Sequence, residues 1–256
     1  MILDEILTTA DARAEEARRD IEHFRARSAA APAQRSLAGA LATEGLSVIA
    51  EIKRRSPSAG DIDTLLDPVQ LALAYEAGGA AAISVLTEPH FFGGSLDDLV
   101  AVRGAVSIPV LRKDFTRDPA QVWEARAAGA DAVLLIVAAL GVGELEACIQ
   151  AAEEAGVDSL VEAHTLDEVA VAVAAGARII GVNNRDLRTF TTDLAIAEAV
   201  VDAIPDGVVR IAESGVSTIE GARRMAAAGY DAILVGEALV RHGDPAVFVD
   251  ALRGVS

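Results

Sequence analysis

Two residues stand out for the chemistry they could do. The chain carries 22 basic side chains, of which 20 are arginine and only two, Lys53 and Lys113, are lysine. A chain that uses arginine for ordinary positive charge keeps lysine where a planar, permanently protonated guanidinium will not serve, because an ammonium is compact and can be tuned to give up a proton. Both lysines close short apolar runs, SVIAEIK and IPVLRK, and Glu162, Asn183 and Glu213 close three more. In a strand, alternate residues share a face, so Ile49, Glu51 and Lys53 point the same way. One charge at a strand end is an ordinary solvated rim residue. Three carboxylates, two ammoniums and an amide at the same ends of several strands are a set able to donate and accept protons around one bound molecule.

Two other segments have the composition of an anion site. AESGVS and LVGEAL each place a glycine directly after an apolar run and before helix-like sequence, and exposed amides at such turns hold phosphate. Ser214, Gly215, Gly236 and Glu237 are the candidates, although two tight turns would use the same glycines. RRSPSAG, residues 54–60, follows the first run. Pro57 and Gly60 make it turn-rich, and Ser56 and Ser58 bring hydroxyls beside Lys53. By composition it is an ordinary flexible loop; by position it is a candidate lid or anion-holding loop. PHFFGGS sets Phe91 and Phe92 after the second run, and Phe115 follows Lys113. Three of the nine aromatic residues at one mouth suggest an aromatic ligand, with core packing as the other account. His23, His90, His164 and His242 show no metal-ligand spacing, and H-E-x-x-H and C-x-x-C are missing. G-x-S-x-G and a Walker loop are missing too. No metal and no cofactor is expected, and His164 is read as a loop residue.

These groups need elements to position them. An alanine-rich helical stretch repeatedly runs into Ala-Gly and then a short apolar run, as in EARAAGADAVLLI and RMAAAGYDAILVG. Each unit reads as a helix end, a glycine cap and a strand covered on both faces. Eight strands are predicted, at 47–53, 81–86, 108–113, 131–137, 158–162, 178–183, 209–213 and 231–235, about 26 residues apart, which suits a strand, a helix and two short loops. The expected fold is α/β, a single (β/α)8 TIM barrel over residues 47–256, whose active site lies at the C-terminal strand ends. An open doubly wound sheet would carry G-x-G-x-x-G after its first strand, and this chain does not. Residues 1–46 form an N-terminal helical extension. Within 2–28, Ile2, Leu3, Ile6, Leu7, Ile21 and Phe24 recur at roughly helical spacing, and AAAPAQRS breaks the helix near Pro32. The extension either plugs one end of the barrel or covers its mouth.

Composition narrows the partners. With 52% hydrophobic and 24% charged residues the chain can bury a large core. Mean hydropathy is positive at +0.35. The longest apolar stretch, Ala132 to Gly143, is nevertheless shorter than the roughly 18–20 residues a membrane span needs. The N-terminus shows no export signal. Cys148 cannot form an internal disulfide and reads as a small buried side chain, so a cytoplasmic location is expected. A net charge of −17 disfavours nucleic acid and anionic membrane as partners. It leaves room for a small phosphorylated molecule held in a local pocket, and a monomer is the favoured assembly.

IAEIKRRSPSAG, SVLTEPHFFGGS, PVLRKDF, DAVLLI, LVEAHT, IIGVNNRDL, IAESGV and ILVGEAL, in this order, resemble indole-3-glycerol phosphate synthase of tryptophan biosynthesis. The resemblance runs from about residue 47 to the end, and the helical extension is similar as well. It implies a carboxy-lyase that works without metal: ring closure of 1-(o-carboxyphenylamino)-1-deoxyribulose 5-phosphate with loss of carbon dioxide and water. Lys113 matches the family's general acid and Glu162 its general base. Lys53 resembles the group that holds the substrate carboxylate, oriented by Glu51, and Ser56 and Pro57 belong to the matching lid loop. Asn183, Arg185 and Glu213 align with polar pocket positions, and Phe92, Phe115 and Leu134 with the walls around the anthranilate ring. Where many relatives have serine after the last glycine, this chain has Glu237. A carboxylate aimed at a dianion would weaken binding, so Glu237 is expected to offer its backbone N–H and turn its side chain away. Phosphoribosylanthranilate isomerase, the neighbouring barrel, would end the first strand with cysteine, and a non-catalytic phosphosugar binder could dispense with Lys113 and Glu162.

Overall fold

The computed structural model describes residues 2–186 and 191–255. Eight parallel strands close into a barrel in sequence order: β1 (Ser47–Ile52), β4 (Ala82–Leu86), β5 (Val110–Lys113), β6 (Ala132–Ile136), β7 (Asp158–Ala163), β8 (Ile179–Asn183), β9 (Val209–Glu213) and β10 (Ala232–Val235). Two short strands, β2 (Arg55–Ser56) and β3 (Gly60–Asp61), pair as a hairpin within the segment expected to be a plain loop. The helices are α1 (Ile2–Arg19), α2 (Ile21–Ser28), α3 (Leu37–Leu41), α4 (Pro68–Ala77), α5 (Leu96–Ala105), α6 (Pro119–Ala127), α7 (Val142–Ala155), α8 (Leu166–Ala174), α9 (Ala195–Val200), α10 (Ile219–Ala227), α11 (Glu237–Val240) and α12 (Pro245–Arg253). None is long and apolar enough to cross a membrane among the described residues.

Local chemistry explains where the outer helices start. Asp67, Asp118 and Asp244 each accept from a backbone N–H of the helix they precede, and each is followed by proline at the first helical position. Ser95, Thr165 and Thr218 cap α5, α8 and α10 in the same way.

Alternation along the strands then sorts the core into two layers. Val48, Val110, Val161, Ile180, Ala212 and Ile233 face the helices, whereas Ile49, Leu111, Leu160, Ile179, Ile211 and Ala232 face the barrel axis. The same alternation, carried two residues further, turns Glu51, Lys113, Glu162, Gly181, Glu213 and Leu234 inward. The barrel interior is therefore apolar below and charged above, at the ends where the strands exit.

The extension meets both ends of the barrel with different pieces, plugging one, and contributes no described residue to the wall of the cavity at the other. Leu37 and Leu41 of α3 are fully buried with the axis-facing side chains, so α3 plugs the floor. Its N-terminus is fixed there by Asp158, whose carboxylate accepts from Leu37 N at 2.6 Å and Ala38 N at 3.1 Å. Further up, Ile6 and Ala10 of α1 join the cluster that holds Phe115, Ile136 and Ala139 at the other end. Arg13 of α1 makes a two-pronged bond to Asp114 at 2.8 and 2.9 Å.

Asp131, fully buried just before β6, ties the floor together. It accepts from Val110 N at 2.9 Å and Arg35 N at 2.8 Å and faces the Arg103 guanidinium at 2.9 Å. Cutting one side of a buried pair leaves the other charge uncompensated. Asp131→Ala is expected to lower unfolding stability by about 3–5 kcal/mol in urea titration, with Asp131→Asn retaining part of the loss. A change below about 1 kcal/mol would show that the floor does not rest on this carboxylate.

Candidate active site

A cavity of about 490 Å³ opens at the C-terminal ends of the strands. Its wall carries the polar, aromatic and turn residues to which the resemblance and the two glycine turns pointed: Glu51, Lys53, Ser56, Pro57, Phe92, Lys113, Phe115, Leu134, Glu162, Asn183, Arg185, Glu213, Ser214, Gly215, Gly236 and Glu237. Phe91, also expected near the mouth, packs on the interior cluster and is not part of this wall.

Lys113 sits at the centre. Its Nζ is 3.1 Å from Glu162 Oε2 and 2.9 Å from Glu213 Oε2. The strand register explains the meeting. Glu162 of β7 lies beside Gly181 of β8, and Asn183 of β8 beside Glu213 of β9. A side chain at 181 would collide with the Glu213 carboxylate, since a Cβ there would stand 2.0 Å from Glu213 Oε1. Asn183 Nδ2 donates to Glu162 Oε1 at 3.0 Å and fixes that carboxylate from its other side. Lys53, just past the end of β1, pairs with Glu51 at 2.8 Å. Gly236 completes the wall beside Glu51, where a Cβ would approach Glu51 Oε1 to 2.5 Å.

The charges respond to this crowding. Burial alone would pull the Lys113 ammonium down, but the charges of Glu162, Glu213 and Glu51 outweigh it and raise its pKa, so it stays protonated. Burial pushes the Glu213 carboxyl up to about 7; Lys113 opposes the rise and Glu162 adds to it. Glu213 Oε1 has no hydrogen-bond partner among the described residues. Burial also opposes the charge on Glu51, yet Lys53 and Lys113 win and hold it below the usual carboxylate range.

The far end of the cavity has a different character. Ser214, directly after β9, has φ of +62°, and Gly215 follows at +82°. Ser214 is the one non-glycine residue with positive φ among the described residues, a strained conformation of the kind that collects at functional sites. Asn184 secures it, its Nδ2 donating to the carbonyls of Glu213 at 3.1 Å and Ser214 at 3.2 Å. Glu237 turns its carboxylate to Arg241 Nε, 3.0 Å away. Across the mouth, Phe92 and Phe115 lean together with ring centroids 6.2 Å apart. The 54–60 segment lies close by, with Arg185 Nη1 donating to Ser58 Oγ at 2.9 Å. His164 occupies the loop after β7, its Nδ1 2.6 Å from the Asn183 carbonyl oxygen.

Three residues of consequence were missed in the sequence. Asp114 follows Lys113, so alternation sends it outward, where Arg13, Arg112 and Thr87 hold it; burial opposes its charge, and the two guanidiniums keep its pKa low. Glu88 is fully buried and accepts from the amides of His90, Phe91 and Phe92, which shapes the loop that carries Phe92. Arg241 lines the cavity one helical turn beyond Glu237. Only Glu88 had a local signal, a carboxylate beside a proline at the head of a glycine-ended loop. No group of three His, Cys, Asp or Glu side chains placed to hold a metal occurs among the described residues.

Comparison with known proteins fits this arrangement. The sequence profile of the family described as indole-3-glycerol phosphate synthase matches residues 3–252. The indole-3-glycerol phosphate synthase of Micrococcus luteus is 51% identical over 262 residues, covering 100% of this chain and 98% of that one. The one from Mycobacterium avium is 52% identical over 246 residues, covering 95% and 90%. Among solved structures, thiamine phosphate pyrophosphorylase from Pyrococcus furiosus superposes with a TM-score of 0.62 at 18% identity, covering 81% of this chain and 94% of that one. N-acetylmannosamine-6-phosphate 2-epimerase from Clostridium perfringens gives 0.60 at 17%, covering 77% and 88%. Those two likenesses speak for the barrel alone. The matches over nearly the full length decide the rest: the chain is an enzyme and belongs to the indole-3-glycerol phosphate synthase family.

Proposed function

We propose that this enzyme is a carboxy-lyase that converts 1-(o-carboxyphenylamino)-1-deoxyribulose 5-phosphate to indole-3-glycerol phosphate, carbon dioxide and water, with Lys113 as general acid and Glu162 as general base. The observation that carries the reading is the buried Lys113 ammonium, within hydrogen-bond distance of two carboxylates and facing a cavity with aromatic walls. The ring carbon that bears the carboxylate forms a bond to the ketone carbon, and the ketone oxygen takes the Lys113 proton to become a hydroxyl. The bond to the carboxylate then breaks, and its electron pair returns to the ring as carbon dioxide leaves. The hydroxyl departs as water on taking a second proton, and Glu162 removes a proton from the carbon beside the nitrogen to give the indole. Two protons enter and one is lost, so each turnover takes one proton from solvent. The 3.1 Å contact lets Glu162 return its proton to Lys113.

In this reading Lys53, oriented by Glu51, holds the substrate carboxylate, and Phe92, Phe115 and Leu134 flank the anthranilate ring. Asn183 keeps Glu162 directed at the reacting carbon. Ser214, Gly215, Gly236 and the Glu237 backbone receive the phosphate, and Arg185 with Ser56 and Pro57 closes the site over it. Burial of Glu51, Glu162 and Glu213 around Lys53 and Lys113 leaves one carboxylate in excess, which supports the raised pKa of Glu213.

Lys113→Ala is expected to lower kcat at least 10²–10⁴-fold, roughly the range of one general acid, while substrate still binds. The rise of indole fluorescence on mixing enzyme and substrate in chelator measures it. Turnover that needs added metal, or a variant within about tenfold of wild type, would remove the assignment.

The Glu213 titration gives a second test. Its folded pKa of about 7 exceeds an unfolded value near 4.3, so the native state binds the extra proton between them. The associated stability is full below the lower value and is lost as pH rises through about 7. Urea titrations from pH 5 to pH 8 should show wild type losing on the order of 1 kcal/mol per pH unit relative to Glu213→Gln up to about pH 7, with the difference levelling off beyond it. Parallel curves for the two proteins would place Glu213 as an ordinary ionised carboxylate.

A further inference from the structure

We infer that Arg241 is the side-chain cation for the substrate's phosphate and that Glu237 acts as its positioning residue; this deepens the reading under Proposed function and rests on it. Four cations line the cavity, and three already have assigned work. Lys53 is held by Glu51, Lys113 lies between Glu162 and Glu213, and Arg185 reaches the 54–60 segment through Ser58. The fourth is Arg241.

Its placement follows from helix geometry. Side chains tilt toward a helix N-terminus, so Arg241, the C-cap of the four-residue α11, reaches back one turn to Glu237 at its start. Arg241 Nε donates a hydrogen bond to Glu237 Oε1 at 3.0 Å. That bond uses the inner edge of the guanidinium. Its two Nη groups donate to no partner among the described residues and remain as a planar pair of donors, the geometry that meets two phosphate oxygens at once. Both side chains are partly exposed, at 50% and 37%. A pair this exposed adds little to folding, so substitutions here report on binding.

The tether also accounts for a carboxylate beside a dianion. Drawn along α11 to Arg241, it orients the guanidinium while part of its own charge is neutralised. Two roles for Arg241 are thereby distinguishable: it contacts the phosphate, as inferred, or it only cancels Glu237.

The test uses the full-length enzyme, KM for the phosphorylated substrate and the inhibition constant of inorganic phosphate. Arg241→Ala should raise both about 10–100-fold, the worth of a charge-assisted contact, while kcat falls less than about threefold. The double variant Arg241→Ala, Glu237→Ala should bind as weakly as Arg241→Ala. Glu237→Ala alone should raise KM about three- to tenfold, and Glu237→Gln, which keeps an acceptor for Nε, should stay within about threefold of wild type. Three results would overturn the inference: unchanged KM in Arg241→Ala, recovery of wild-type KM in the double variant, or tighter binding in Glu237→Ala. If wild-type enzyme turns over its substrate and Arg241→Ala matches it, this inference alone falls. A wild-type enzyme indifferent to both substrate and phosphate removes the reading and the inference together.

Discussion

Taking the Lys113 ammonium out of water is tolerable only because two carboxylates reach it within 3.1 Å. A buried charge without such partners would lose its proton or unfold its surroundings. Much of the upper barrel can be derived from that requirement. Two glutamates must arrive from strands on either side of β8, so β8 must present a glycine at 181 to leave room. The nearer oxygens serve the lysine, and Asn183 occupies the remaining oxygen of Glu162. Burying three carboxylates with two ammoniums then leaves a surplus, which falls on Glu213, the carboxylate with an unpartnered oxygen. The acid–base character of the site follows from where the barrel lets charge be buried.

The same rule, that a buried acid must gather donors, governs how the extension is attached. Asp158 and Asp131 gather backbone amides and a guanidinium at the floor, whereas Asp114 gathers Arg13 and Arg112 at the top. Each of these acids belongs to the barrel, and each takes at least one donor from residues 1–46. The extension is therefore fastened at both ends of the barrel. Because Asp114 adjoins Lys113 at the end of β5, the upper fastening ties α1 to the residue next to the ammonium.

Much of this was legible in the residues, and what was not has a physical reason. The eight strands could be read because strands covered on both faces must be continuously apolar, and the glycine caps mark where each one starts. The inward set of Glu51, Lys53, Glu162 and Glu213 could be read because alternation has a fixed period and the chain contains only two lysines. Asp114 could not, since its meaning depends on Arg13, 101 residues earlier, and no local pattern announces such a partner. The choice between plug and cover was open for the same reason: α1 and α3 both bury apolar side chains, and which end each one meets is decided by acids on distant strands. The hairpin in residues 54–60 escaped because two-residue strands have no periodicity to detect. Arg241 was hidden by distance of another sort, one helical turn past the glycine that drew attention.

An enzyme with a net charge of −17 that, under the proposed reaction, takes a ligand bearing a phosphate and a carboxylate has to solve its electrostatics locally. Screening limits the distant carboxylates, because at physiological salt the field of an exposed charge fades over about 8 Å. Inside the cavity no such relief exists. In the empty site Lys53 and Lys113 are already satisfied by the enzyme's own glutamates, so under the proposed reaction a substrate carboxylate or developing oxyanion competes with Glu51, Glu162 and Glu213 for the same ammoniums. A glutamate displaced from a lysine while still buried must take up a proton or find other donors. Glu51, held ionised by Lys53 and Lys113, resists protonation, whereas burial pushes the Glu213 carboxyl up to about 7, so it takes up a proton near neutrality. Under the proposed reaction the deepest carboxylate is thus the one that can yield Lys113 at least cost, which frees the ammonium toward the reacting oxygen.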